Sequence, residues 1–357
     1  MPTESMIEDL YRANDWAHEK LFRLCDGLSD EQLDTKRELG MGSLRATLFH
    51  VLAAEEIWYD RWTAAPARPF PLDPAGMSLA EIEERLKSVA AKRRELIDRE
   101  RANGWSRMVQ YKDLRGNEHS RALDGLLLHV ANHGVHHRAQ TLNYLKGYGR
   151  HAVVGLDYLF YKLARPSVPQ DADAIETRRK QGLEIAVGPG VEPIWDRATM
   201  VRYFGYHDWA IGKILDFASA LPDEALDRDF SMGHGSIRKT LTHLHDVEPF
   251  WLANWTGTAA GFVRTPEGTP IAKLRESWAT TAAKRNAFVA NLDAAGASNV
   301  VAVSFGGPAM KFRVVESMLQ ICVHGTHHRA QVINMLRHSG VSPPQFDVPV
   351  WLKEIGQ

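Results

Sequence analysis

The run HGVHHRAQ at residues 133–140 returns as HGTHHRAQ at 324–331, with seven of eight positions identical. Further out, GSLRATLFH (42–50) returns as GSIRKTLTH (235–243), with six of nine identical. Asp15-Trp16-Ala17 returns as Asp208-Trp209-Ala210, and Trp58 and Trp62 return as Trp251 and Trp255. The order is the same in both halves, at an offset of 193 residues for the early blocks and 191 for the last. Solenoid repeats run about 20–50 residues, so this period marks duplication of a whole domain. A chain of 357 residues has room for two self-sufficient cores. The reading is a first domain over 1–165, a linker over 166–196 and a second domain over 197–357. RPSVPQDADA (165–174) and VGPGVEP (187–193) supply the Pro, Gly and charge of a linker, with room for a short helix around 171–183.

Each half reads as mostly helical. Leu10, Trp16, Ala17, Leu21 and Leu24 recur near a 3.6-residue period within 5–27. Ser43 and Ser236, each after a glycine, suit N-caps of helices reaching about 64 and about 256. Ser78 and Glu81 form a capping box for a helix over 78–102, whose counterpart is 271–293. A hairpin is expected over 106–120, turning at Arg115-Gly116-Asn117, and another over 298–312, turning at Gly306-Gly307. The histidine-bearing helices follow at 121–147 and 314–338, with Gly147 and Gly340 as stops. A short closing segment then places Asp157 and Asp347 equivalently. The fold class is therefore all-α: two tandem up-and-down four-helix bundles, each with a small β-hairpin before its last long helix.

Composition narrows the function. Forty-three basic side chains balance 44 acidic ones, for a net charge of −1, without the basic footprint of a nucleic-acid partner. No apolar run reaches membrane-spanning length. The N-terminus lacks the basic and apolar regions of a signal peptide. Two cysteines, Cys25 and Cys322, fall in different halves and make no disulfide framework. The expectation is a cytoplasmic protein with a small-molecule substrate.

The histidines carry the chemistry. His133 and His137 are four apart on a helix, so their rings share a face about one turn apart, as do those of His324 and His328. Both pairs lie on the apolar stripe: Leu126, Val130, His133, His137, Thr141, and Ser317, Ile321, His324, His328, Val332. Metal sites inside bundles draw on facing helices, so a third ligand is expected from elsewhere. The repeat nominates His50 and His243, about 80 residues upstream. Three imidazoles suit Zn, Ni, Cu or Fe, with one ion per domain. Three ligands also leave a coordination position open, the pattern of catalytic sites.

Other residues carry weaker signals. His129 and His245 extend the histidine runs, but Gln320 and Leu52 stand in the other copies. His136 and His327 recur but point about 100° away from the ligand face. Glu55 and Glu248, five residues past the upstream histidine, are candidates for a general base, with a salt bridge as the alternative. Arg138, Gln140, Arg329 and Gln331 suit hydrogen bonds between helices or contacts to substrate. The paired tryptophans suit the core.

At these residues the chain resembles the DinB/YfiT-like superfamily. The resemblance rests on Tyr11-x-x-x-Asp15-Trp16-Ala17 (looser at Tyr206 to Ala210), a second-helix histidine with Trp eight residues on, and the HGxHHRAQ block. It covers both halves. It implies a four-helix bundle holding a divalent metal on three histidines, here His50, His133 and His137, then His243, His324 and His328. Members resemble thiol S-transferases using bacillithiol or mycothiol, thiol-linked isomerases, or metal hydrolases. The resemblance implies a metal-dependent thiol S-transferase with a low-molecular-weight thiol as cosubstrate. The rivals are a metal-dependent hydrolase and a non-catalytic metal-binding or stress-response module. Where a single-domain member would pair with itself, the tandem copy suggests an intramolecular pseudo-dimer.

Overall fold

Serine caps start three of the long helices where the sequence places them. The computed structural model describes all residues except 1–2, 67–68, 72, 75, 153–154, 187, 189, 259–260 and 345. Part of the VGPGVEP linker, at 187 and 189, is thus outside the described residues. The first repeat runs β1 (Thr3–Ser5), α1 (Met6–Cys25), α2 (Asp30–Asp34), α3 (Leu44–Trp62), α4 (Leu79–Glu100), β2 (Met108–Lys112), β3 (Glu118–Ala122), α5 (Leu123–Lys146) and α6 (Tyr158–Ala164). Then come α7 (Ala172–Lys180) and β4 (Glu192–Ile194). The second repeat runs α8 (Arg197–Ser219), α9 (Asp223–Asp227), α10 (Ile237–Trp255), α11 (Ile271–Asn291), α12 (Ala294–Ser298), β5 (Val300–Val303), β6 (Met310–Arg313), α13 (Val314–His338) and α14 (Val348–Glu354).

Local chemistry explains the helix starts. Ser43 Oγ accepts from the Ala46 amide at 3.1 Å, and Ser236 Oγ from the Lys239 amide at 3.2 Å. Ser78 and Glu81 close their capping box reciprocally. The four long helices of each repeat are α1, α3, α4 and α5, then α8, α10, α11 and α13, so the chain is mostly helical. Both expected hairpins form: β2 pairs antiparallel with β3, and β5 with β6. The helix inside the linker is α7.

The chain divides into two compact units that do not coincide with the sequence halves. One comprises Asn14–His151 and Gln345–Gln357. Within it α3 packs on α4 and α5, and α14 packs on α5, around buried Leu44, Leu52, Ile82, Leu126 and Leu127. The other comprises Met1–Ala13 and Ala152–Pro344. Within it α10 packs on α11 and α13, α8 packs on α11 and α13, and α6 lies along α13. Strand β1 pairs parallel with β4, Thr3 opposite Glu192. Each unit is therefore finished by the closing helix of the other repeat: α14 in the first unit, α6 in the second.

A buried charge cluster fixes α6 in the second unit. Lys162 Nζ lies 3.0 Å from Glu316 Oε1 on α13 and 3.4 Å from Asp9 Oδ1. The same ammonium donates to the Val191 carbonyl at 2.8 Å, and the Tyr158 hydroxyl donates to Asp9. Burial pushes Asp9 up and would push Lys162 down, but the Asp9 and Glu316 carboxylates hold Lys162 above its usual value.

A matching pair of arginines ties the long helices of each unit. Arg93 on α4 donates at 2.6 Å to both Glu55 on α3 and Asp15 on α1. Arg285 on α11 likewise donates to Glu248 on α10 and Asp208 on α8. The two carboxyls respond differently. Burial holds Glu55 above its ordinary value against the pull of Arg93. Burial would also raise Glu248, but Arg285, His207 and Trp278 outweigh it and hold the carboxyl down at about 2. Removing one member of a buried ion pair costs about 3–5 kcal/mol because the other charge is stranded. Arg285→Met should therefore destabilise its unit by about that amount. Arg93→Met should cost less, because Glu55 can take up a proton. Urea unfolding at neutral pH compares the two, and equal losses would contradict this account.

Candidate metal centres

In the first unit α3 brings His50 to the face of α5 that carries His133 and His137. His50 Nε2 lies 3.1 Å from His133 Nε2. The His50 ring centroid is 4.5 Å from that of His137, and His133 and His137 are 4.3 Å apart. One ligand nitrogen from each residue lies within 4.8 Å of the others. The helical stripe does what its sequence requires: Leu126, Val130 and Thr141 are buried above and below the pair. Gln140 Oε1 accepts from His137 Nδ1 at 2.8 Å, which puts the ring proton on Nδ1 and makes Nε2 the atom able to ligate. Burial lowers the His50 pKa to about 4, against a small upward pull from Asp347, which enters the unit at the start of α14. Burial also lowers His133 well below its ordinary value, with further contributions from its histidine neighbours. His50 and His133 are therefore neutral at physiological pH, the form that binds a metal.

In the second unit the three nitrogens that lie within 4.8 Å of one another belong to His234, His243 and His328, with His234 in the place expected for His324. His243 Nε2 on α10 lies 2.9 Å from His324 Nε2 on α13, and His324 and His328 centroids are 4.4 Å apart. Gln331 Oε1 accepts from His328 Nδ1 at 2.7 Å. Burial lowers His243 to about 3 and His328 well below its usual value. Two features were missed by the sequence reasoning. Asp157, just before α6, accepts from His324 Nδ1 at 3.0 Å. Burial would raise this carboxyl, but His327 and His324 hold it well below the usual range. His234, in the loop before α10, stacks on His243 with centroids 3.9 Å apart. Its ligand nitrogen lies within 4.8 Å of those of His243 and His328. The only sequence signals were the matching positions of Asp157 and Asp347, and a histidine beside the GS block.

The donor set fits a divalent ion. Nitrogens bound at about 2.0–2.1 Å to one ion sit about 3 Å apart, close to the two Nε2 separations. With Nδ1 of His324 donating to Asp157, its Nε2 carries a bare lone pair 2.9 Å from another ring nitrogen. Such a pair needs a proton or a cation between its members.

The remaining candidates are placed elsewhere. Glu55 and Glu248 sit in the buried arginine networks, and Glu248 also accepts from His207 at 2.9 Å and Trp278 at 2.7 Å. Gln140 and Gln331 bond along their own helix to His136 and His327, at 3.0 and 3.2 Å, rather than between helices. Arg138 does reach another helix, donating to Asn14 at 2.9 Å, and Arg329 contacts His207 at 3.2 Å. His129 packs edge-on against Trp58, with centroids 5.0 Å apart. His245 bonds to Asp246 and Ser277 at 2.9 and 2.8 Å. All four tryptophans are buried. Both cysteines are free, and burial pushes Cys25 up to about 12 and Cys322 well above its ordinary value, so neither is a ready thiolate. Among the described residues no helix is long and apolar enough to cross a membrane.

A sequence model of the DinB family matches residues 1–173 and 196–355. The chain belongs to the DinB family. No curated protein and no solved structure matches it. In this DinB protein the family model spans both repeats and therefore both histidine clusters.

If these clusters hold metal, His133→Ala with His243→Ala and His328→Ala should remove bound divalent ion altogether, and His50→Ala alone should remove about half. Elemental analysis of the purified variants measures this. Stoichiometric metal in the triple variant would overturn the ligand assignment.

Proposed function

We propose that this DinB protein is a metal-dependent transferase that joins a low-molecular-weight thiol to a small electrophile. The observation that carries the reading is a cluster of three imidazoles, His50, His133 and His137, with no carboxylate among the ligand atoms. Neutral donors leave the charge of a bound cation undiminished. A divalent ion such as Zn, Ni or Fe held there supplies an open position at which a thiol loses its proton well below its free pKa of about 8.5.

The chain's own residues set up that position. Gln140 fixes the His137 ring with its proton on Nδ1. Phe70 packs on His50, with centroids 5.4 Å apart. Burial keeps His50 and His133 unprotonated.

The fate of the glutamates favours this reading over hydrolysis. A hydrolase would be favoured by a carboxylate beside the open position to take the proton of water. Glu55 and Glu248, the candidates for that role, are tied to Arg93 and Arg285.

The test is a panel of thiols with an electrophilic aryl halide, run with metal-loaded and metal-stripped protein. The expected result is thiol-dependent turnover that falls to the background rate on stripping and returns on reloading. Metal-dependent ester cleavage without any thiol requirement would instead identify a hydrolase. Equal rates with and without metal for every thiol would sink the proposal.

A further inference from the structure

The loop before α10 and the loop before α3 are built alike. Gly233 and Gly235 take φ of 54° and 95°, and Gly40 and Gly42 take 54° and 91°. These left-handed values suit glycine. The residue between them is pinned the same way in both copies. The His234 amide donates to Thr240 Oγ1 at 3.2 Å, and the Met41 amide to Thr47 Oγ1 at 3.1 Å. One backbone thus presents two different side chains at the mouth of two otherwise matching clusters.

The difference is chemical. His234 lies over His243 with centroids 3.9 Å apart, and its ring is 5.3 Å from His328. Its nitrogen is already within ligand-sharing reach of both. Met41 is 42% exposed, and a thioether is a poor donor for borderline divalent ions. A four-imidazole centre requires the His234 ring to turn out of its stack on His243 and His324 to join the cluster through its contact with His243. Four protein ligands saturate a tetrahedral ion, as in structural sites, whereas three leave a position open.

We infer that the two sites have diverged: the second holds its ion with four imidazoles, His234, His243, His324 and His328, as a closed structural centre, and the first keeps three ligands and is where the thiol binds. Asp157 supports the closed centre by fixing the His324 ring, as a carboxylate behind a ligand histidine does. The inference rests on the metal reading above, and its thiol clause rests on the proposed activity.

The experiment loads the full chain with Co²⁺ and follows its visible spectrum during withdrawal by EDTA. The wild-type chain should release Co²⁺ in two phases, separated by about 10–100-fold, the scale on which losing support around a metal changes affinity. His133→Ala, which leaves the second site intact, and His243→Ala with His328→Ala, which leaves the first intact, assign the slow phase to the second site. His234→Met, which copies the first repeat, should merge the phases, and Met41→His should slow the fast one. Added thiol should give a thiolate-to-cobalt charge-transfer band in the chain carrying His243→Ala and His328→Ala and none in the His133→Ala chain. The inference is overturned if His234→Met leaves the slow phase and its spectrum unchanged, or if thiol binds the second site. Absence of any Co²⁺ uptake by the wild-type chain overturns the metal reading and this inference with it. Two phases that respond to His234→Met, with no thiol band at either site, refute the thiol reading and leave the four-imidazole centre standing.

Discussion

Ring nitrogens from two helices face one another at about 3 Å in each unit, and the surrounding structure is arranged to allow it. Burial inside an apolar stripe opposes positive charge on imidazoles held this close, and lowers His133 and His328 well below their ordinary value. Their outer nitrogens are committed to Gln140, Gln331 and Asp157, so the inner lone pairs converge. That convergence demands a fixed spacing between α3 and α5, and between α10 and α13.

The buried arginines supply part of that spacing. Arg93 and Arg285 each join three long helices through two carboxylates, and a shift of any helix would strand a charge. Glu55 and Glu248 are thereby drawn into scaffolding. The same residue type at the same spacing from the upstream histidine looked suited to proton transfer. The outcome depended on what α4 and α11 bring opposite them.

Duplication gave the two clusters one plan, and particular residues then made them differ. The GS loops keep the same glycine conformations and the same threonine anchor, so the exchange of Met41 for His234 changes donor chemistry without changing the backbone. The closing segments bring Asp157 to His324 within one unit and Asp347 close to His50 within the other. Each cluster thus receives a carboxylate from the other repeat's sequence.

The sequence by itself determined the helices, their caps, both hairpins and the histidine pairs. These are local matters: a 3.6-residue period sets which side chains share a face, and a serine oxygen satisfies amides two or three residues on. The doubled pattern also singled out His50 and His243, which the fold brings against those pairs. Tertiary structure alone decided which repeat's closing helix covers which cluster, where Glu55 and Glu248 find their partners, and that His234 lies on His243. Those contacts join residues far apart in the chain. Local periodicity contains no term for them, because their energy comes from packing and charge burial that exist only once the helices have assembled.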